Sequence, residues 1–115
     1  MNKTVVSLSQ YKKSPDSLIE TISLCNGLED LNVEDQVFIK PNLVGYGTIF
    51  PMPLYGIFTT TRLVEDMIIA LKDYGAKRII VGEGSVYIKG YRHTYTTHQI
   101  FTLLGYPFLS KRYGV

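Results

Sequence analysis

Cysteine is nearly missing from this sequence: Cys25 is the single example among 115 residues. One thiol cannot build an internal disulfide framework, nor a zinc or iron–sulfur centre made of cysteines within this chain. An excess of either charge is missing too. Twelve Lys and Arg stand against ten Asp and Glu, a net charge of +2, with a pI near 8.6. Nucleic-acid-binding domains usually carry a stronger, clustered basic charge, so no nucleic acid partner is expected. Long apolar runs are also lacking. No stretch approaches the roughly 18 residues of a membrane span, and Thr4 to Ser9 is far short of a secretory apolar core. No membrane partner is expected, and a reducing cytoplasm is the default location.

What is present describes a folded α/β chain. Hydrophobic residues make up 45% and charged residues 19%, neither a disordered nor a membrane composition. A chain of this length buries roughly two-thirds of the surface its unfolded form exposes, enough for one core. Short β-branched runs alternate with helical segments, and there is no repeat. Residues 4–8, TVVSL, read as a first strand. Ser14 and Pro15 then read as N-cap and first helical residue. Leu18, Ile22, Cys25 and Leu28 form an apolar stripe, and Asn26-Gly27 marks the helix end.

Residues 36–40, QVFIK, predict a second strand, stopped by Pro41. The Gly- and Pro-rich stretch from Asn42 to Thr59 reads as a long loop, a length at which loops usually carry function. A second helix starts near Thr60 and ends at Gly75. Val64, Met67, Ile68 and Leu71 mark its buried face; Arg62, Glu65, Asp66, Lys72 and Asp73 mark its wet face. Ile69 interrupts that wet face, which hints at cover on more than one side. Residues 78–82, RIIVG, predict a third strand buried on both faces. Helical segments follow at about 96–104 and 108–113. Gly114-Val115 reads as a helix stop and the start of a further strand.

Strand and helix in alternation imply βαβ units and a parallel sheet. The expected fold is therefore α/β, three-layer and Rossmann-like, with a mostly parallel sheet. It forms a single domain over 1–115, incomplete, the N-terminal part of a larger one.

Ligands of such sheets bind at the carboxyl ends of the strands. Three segments are predicted there. IKPNL (39–43) supplies the Lys40 cation, a stiff Pro41 and the Asn42 amide. VGEG (81–84) holds Glu83 between Gly82 and Gly84, which allow close approach of a ligand. FTTTR (58–62) brings Thr59, Thr60 and Thr61 to a helix N-terminus, which favours an anion. Each has a plain structural reading: Lys40 pairs with Glu83, the threonines cap a helix, and VGEG is a turn. Together they favour a site for a small anionic or polar molecule. Lys40, Asn42, Thr59, Thr60, Gly82 and Gly84 would bind it, and Glu83 is the catalytic candidate. Work as a general base would need its pKa raised by burial.

Other patterns carry less. Glu83, His93 and His98 contain a facial N,N,O metal set in principle. The five-residue spacing of the histidines does not match one helix face, and no metal is expected. Cys25 on an apolar stripe reads as a small hydrophobe. The stretch from Tyr87 to His98, with Lys89 and Arg92, reads as a loop lid rather than a base-stacking platform. Gly82-Glu83-Gly84 opens a G-x-G fingerprint, but Tyr87 stands where its third glycine belongs, so an ordinary dinucleotide site is not expected.

The segments VFIKPNLV (37–44), GIFTTTRLVEDMI (56–68), RIIVGEGS (78–85) and GYPFLSKRYGV (105–115), in this order, resemble the family known as domain of unknown function 362. The resemblance covers nearly the whole chain. It implies a larger α/β protein whose sheet continues past this point, in some members with ferredoxin modules carrying two [4Fe–4S] clusters. It supplies no reaction. Its matching positions here are Lys40, Pro41, Asn42, Thr59, Gly82, Glu83 and Gly84. Where the pattern has Thr-Thr, then an acid or His, then Pro, this chain has Phe58, Thr59, Thr60 and Thr61. The ferredoxin cysteines are missing, so clusters belong to longer relatives and this chain is expected to bind none. Three readings follow: a ligand-binding or catalytic domain, a non-catalytic module for a ferredoxin-like partner, or an incomplete domain that self-associates.

Overall fold

The computed structural model describes residues 4–43, 58–84 and 95–115. Two strands, β1 (Gln36–Ile39) and β2 (Arg78–Val81), pair in parallel. The register sets Val37 beside Ile79, Phe38 beside Ile80 and Ile39 beside Val81. Parallel partners need a crossover, and the helix α2 (Thr61–Tyr74) lies between them in the chain. Helix α1 (Asp16–Leu24) precedes β1, while α3 (Thr97–Leu103) and α4 (Tyr106–Tyr113) follow β2. The chain is mixed α/β around a parallel pair, as its alternating patterns predict.

Local chemistry sets the helix limits. Thr60 accepts the Leu63 N–H and caps α2, and Gly75 ends it at φ 109°, where a side chain would be strained. Thr96 and Gln99 form a reciprocal capping box at the start of α3. Asn26 takes φ 52° just beyond α1, and Gly114 takes φ 69° after α4.

The core gathers where α2, α3 and α4 meet one face of the sheet. Ile68 is fully buried, and Val64, Leu71, Ile79, Ile100 and Leu43 surround it at 5% exposure or less. Burying each such side chain contributes roughly 1.5–3 kcal/mol. Arg112 and the Tyr113 hydroxyl of α4 both donate to Glu65 of α2, at 3.2 and 2.7 Å, which fastens the two helices at their wet edge. No helix among the described residues is long and apolar enough to cross a membrane.

Four expectations change. Thr4–Leu8 joins no strand: Val5, Val6 and Leu8 are exposed, and Ser7 Oγ donates to the Thr21 carbonyl at 2.6 Å. The Ser9 and Thr21 hydroxyls also bond. Strand propensity records fit to a half-buried pleated surface, and hydroxyl bonds to α1 hold this segment away from the sheet. Second, Asp66 is not on a wet face but 1% exposed, because Tyr11 and Ser14 donate hydroxyl bonds to its two oxygens at 2.6 and 2.5 Å. The N-terminal arm thus covers a second side of α2, as Ile69 hinted. Third, Ser14 is spent on Asp66 and does not cap α1, whose N-cap is Pro15 without a side-chain bond. Fourth, β2 is not covered on both faces among the described residues, where Ile80 and its partner Phe38 are exposed on the side away from the helices. A continuous apolar run cannot by itself say whether a second layer is in place. The described residues make two layers, and the three-layer, Rossmann-like detail goes beyond them.

Candidate functional site

The carboxyl ends of β1 and β2 are built by the alternation of one short segment. Beyond Ile39, Pro41 and Leu43 turn into the core while Lys40 and Asn42 turn out. Two buried anchors at spacing two hold the intervening polar side chains on the outer side. From the neighbouring strand, the Gly82 N–H donates to the Ile39 carbonyl at 3.0 Å, extending the ladder by one bond beyond Val81. Glu83 follows directly and meets Lys40.

Lys40 Nζ lies 2.9 Å from Glu83 Oε2. The same carboxylate accepts the Leu43 N–H at 3.4 Å and, through Oε1, the Gly84 N–H at 2.7 Å. The side chains differ sharply in exposure: Glu83 retains 3% and Lys40 61%. The Lys40 ammonium holds the Glu83 carboxyl below its usual range; burial opposes it, and the two backbone N–H groups assist. The direction is opposite to the rise that general-base work requires. Glu83 is ionised in this arrangement and serves as an anchor for Lys40.

Asn42 and Thr59 are paired through the backbone. The Asn42 N–H donates to Thr59 Oγ1 at 2.9 Å, and the Thr59 N–H donates to the Asn42 carbonyl at 3.0 Å. The start of α2 is thereby fixed against the exit of β1. Thr60 caps the helix, and Thr61 Oγ1 donates to the Leu104 carbonyl at 2.9 Å. The hydroxyl cluster is therefore divided among three structural bonds.

The two glycines separate in role. A Cβ on Gly82 would sit 2.7 Å from the tip of the Phe38 ring, so this glycine makes room for that ring. A Cβ on Gly84 would meet nothing within 4 Å among the described residues. Lys40, Glu83 and Gly84 thus come together from two strands, beside the coupled Asn42 and Thr59. Sequence reasoning missed the Leu43 N–H as a donor to Glu83; the Pro41 and Leu43 alternation was the available signal. It also missed Phe38 over Gly82, for which the sequence holds no signal.

His98 lies on α3 and lines a cavity of about 270 Å³ with Val81, Phe101, Tyr106 and Val115. Tyr106 stacks on Phe101 with ring centroids 4.5 Å apart. Its buried hydroxyl has no hydrogen-bond partner among the described residues, and burial pushes the phenol pKa up to about 12. His93 and the 87–94 part of the expected lid lie outside the described residues. Among the described residues no three His, Cys, Asp or Glu side chains gather to hold a metal ion. Cys25 is half-buried and its thiol faces the carbonyls of Thr21 and Ile22.

Comparison with known proteins gives one match. No curated protein and no solved structure matches the chain. The model of the family described as domain of unknown function (DUF362) matches residues 37–115, from the second residue of β1 to the last residue. That span contains Lys40, Asn42, Thr59, Thr60 and the Gly82-Glu83-Gly84 turn, so the rim, β2 and all of β1 but Gln36 lie within the matched part. The chain belongs to the DUF362 family.

Proposed function

We propose that this chain binds a small anionic or polar molecule at the carboxyl-end rim of β1 and β2. The observation that carries the reading is the Lys40–Glu83 pair, which joins segments 43 residues apart and leaves Lys40 61% exposed. Lys40 supplies the positive charge for a carboxylate, phosphate or sulfate group. Gly84, with no described residue within 4 Å of where a side chain would stand, lets a ligand approach the backbone closely. The Asn42–Thr59 coupling fixes the start of α2 against the exit of β1, and Thr60 sets the N-terminus of α2 beside the rim. Gly82 contributes by admitting Phe38 rather than by touching the ligand. A catalytic role for Glu83 in this reading requires that Lys40 first be drawn away from it. A Rossmann-like sheet and a cytoplasmic location belong to the same proposal; the lone Cys25 thiol suits a reducing compartment.

The test is equilibrium binding of inorganic sulfate, phosphate and small monocarboxylates to the wild-type chain and to Lys40→Ala. The variant should lose binding at least tenfold while keeping its circular dichroism spectrum and a cooperative melt. Equal binding by both proteins refutes the assignment.

Self-association is the second reading. Phe38 is 60% exposed on the sheet face away from the helices, and the β-rich Thr4–Leu8 segment presents Val6 and Leu8 to solvent. Among the described residues the sheet has two strands and open edges that invite pairing, and a second copy carries both such an edge and the strand-like Thr4–Leu8 segment. Sedimentation equilibrium across a concentration series tests it. A monomer at all concentrations excludes it.

A further inference from the structure

The Lys40–Glu83 pair is uneven in a way that matters for ligand exchange. The carboxylate is fixed: its side chain is 3% exposed and two backbone N–H groups grip its oxygens at 2.7 and 3.4 Å. Among the described residues the ammonium has one partner, at 2.9 Å, at the end of a long stem with 61% of its surface in water. Lysine is a compact point charge on a flexible chain, suited to moving between acceptors. An anion at the rim competes with Glu83 for it, and Glu83 cannot follow.

We propose that Lys40 is the movable member of the pair: an anion at the rim draws its ammonium from Glu83, and the occluded carboxylate left behind takes a proton from solvent, so anion and proton bind together. The inference rests on the rim being an anion site. It gives that site a regulation, tighter anion binding at acidic pH, and gives Glu83 a protonated form that can donate a hydrogen bond to the ligand.

The physical basis is the balance of forces on the carboxylate. Contact with Lys40 is the largest influence favouring its charged form, and burial is the largest opposing one. Lys40 is the one charged side chain among the described residues that acts on it; the other groups facing it are the Leu43 and Gly84 N–H donors, which do not titrate. Among the described residues, withdrawal of the ammonium leaves burial opposed by those two N–H bonds, and proton affinity rises. By linkage, a ligand that raises a group's proton affinity is itself bound more tightly as pH falls through that group's titration.

Two measurements test this. The first needs no ligand: the Glu83 side-chain carboxyl is titrated by carbon NMR in the wild type and in Lys40→Met. The midpoint should move upward in the variant, and an unmoved or lowered midpoint overturns the proposal. The second uses inorganic sulfate, which does not titrate in this range. Calorimetry at mildly acidic pH in two buffers of different ionisation heat should show uptake approaching about one proton per sulfate in the wild type. Glu83→Gln should still bind sulfate, with no uptake. Sulfate binding without uptake in the wild type overturns the coupling alone. Failure of sulfate to bind, with the NMR midpoint moved as expected, counts against the rim as an anion site and leaves the carboxylate balance established.

Discussion

Replacing Glu83 by Gln keeps the side chain's shape and removes its charge, which isolates what the carboxylate contributes to the fold. Two losses follow. The Lys40 bond falls from an ion pair to a neutral contact; with Lys40 61% exposed, that is worth under about 1 kcal/mol. In addition, one of the two carboxylate oxygens becomes an NH₂ group. Either the Gly84 or the Leu43 N–H then faces a donor and loses its acceptor, at about 1 kcal/mol. The variant should be less stable by about 1–2 kcal/mol near neutral pH, a fall of several degrees in Tm. The pH dependence is the sharper part. The Glu83 carboxyl is held below its usual range in the folded chain. Its stabilisation is therefore present above the ordinary carboxylate pKa and is lost as pH falls through the lowered folded value. Thermal melts of both proteins over an acidic to neutral series should converge at the acid end. A stability gap that stays constant through that range refutes the account of Glu83 as an ionised anchor.

The other predictions concern the frame around the rim. Tyr106→Phe removes a buried hydroxyl that has no partner among the described residues, so it should leave stability unchanged or raise it by up to about 3 kcal/mol in chemical denaturation. Asp66→Ala leaves the Tyr11 and Ser14 hydroxyls without their shared acceptor; it should cost about 2–3 kcal/mol and expose the N-terminal arm to trypsin at Lys12 and Lys13. Gly75→Ala, at φ 109°, should cost about 1 kcal/mol or more, measured as a fall in the denaturation midpoint. Gly82→Ala should cost less than Gly75→Ala, because the exposed Phe38 ring it meets is free to swing aside.

Much of the frame was legible because its signals are local. The β-branched centres of QVFI and RIIV, the Thr60 and Thr96 caps, and the glycines at 75 and 114 each act within a few residues of themselves. The rim was legible for a related reason. In a parallel sheet, whatever leaves two neighbouring strands at the same end must meet, and Lys40 and Glu83 do so at 2.9 Å. The misses are long-range. Asp66 occupies a position that periodicity assigns to water, and it is buried only because Tyr11 and Ser14, 55 and 52 residues earlier, bond to it. The same arm explains the loss of the expected first strand. Once Ser7 bonds to Thr21 and Tyr11 to Asp66, Thr4–Leu8 is held against helices instead of a sheet edge. Gly82 illustrates a third kind of miss: its need for open space was legible, but the ring that fills that space was not.

The rim's role as an anion site rests on Lys40, and amide NMR on a sulfate titration tests it most directly. The backbone signals of Lys40, Asn42 and Gly84 should shift saturably in the wild-type chain and stay still in Lys40→Ala, with the remaining spectrum unchanged. Equal, saturable shifts in both proteins, or shifts confined to residues remote from the ends of β1 and β2, would contradict it.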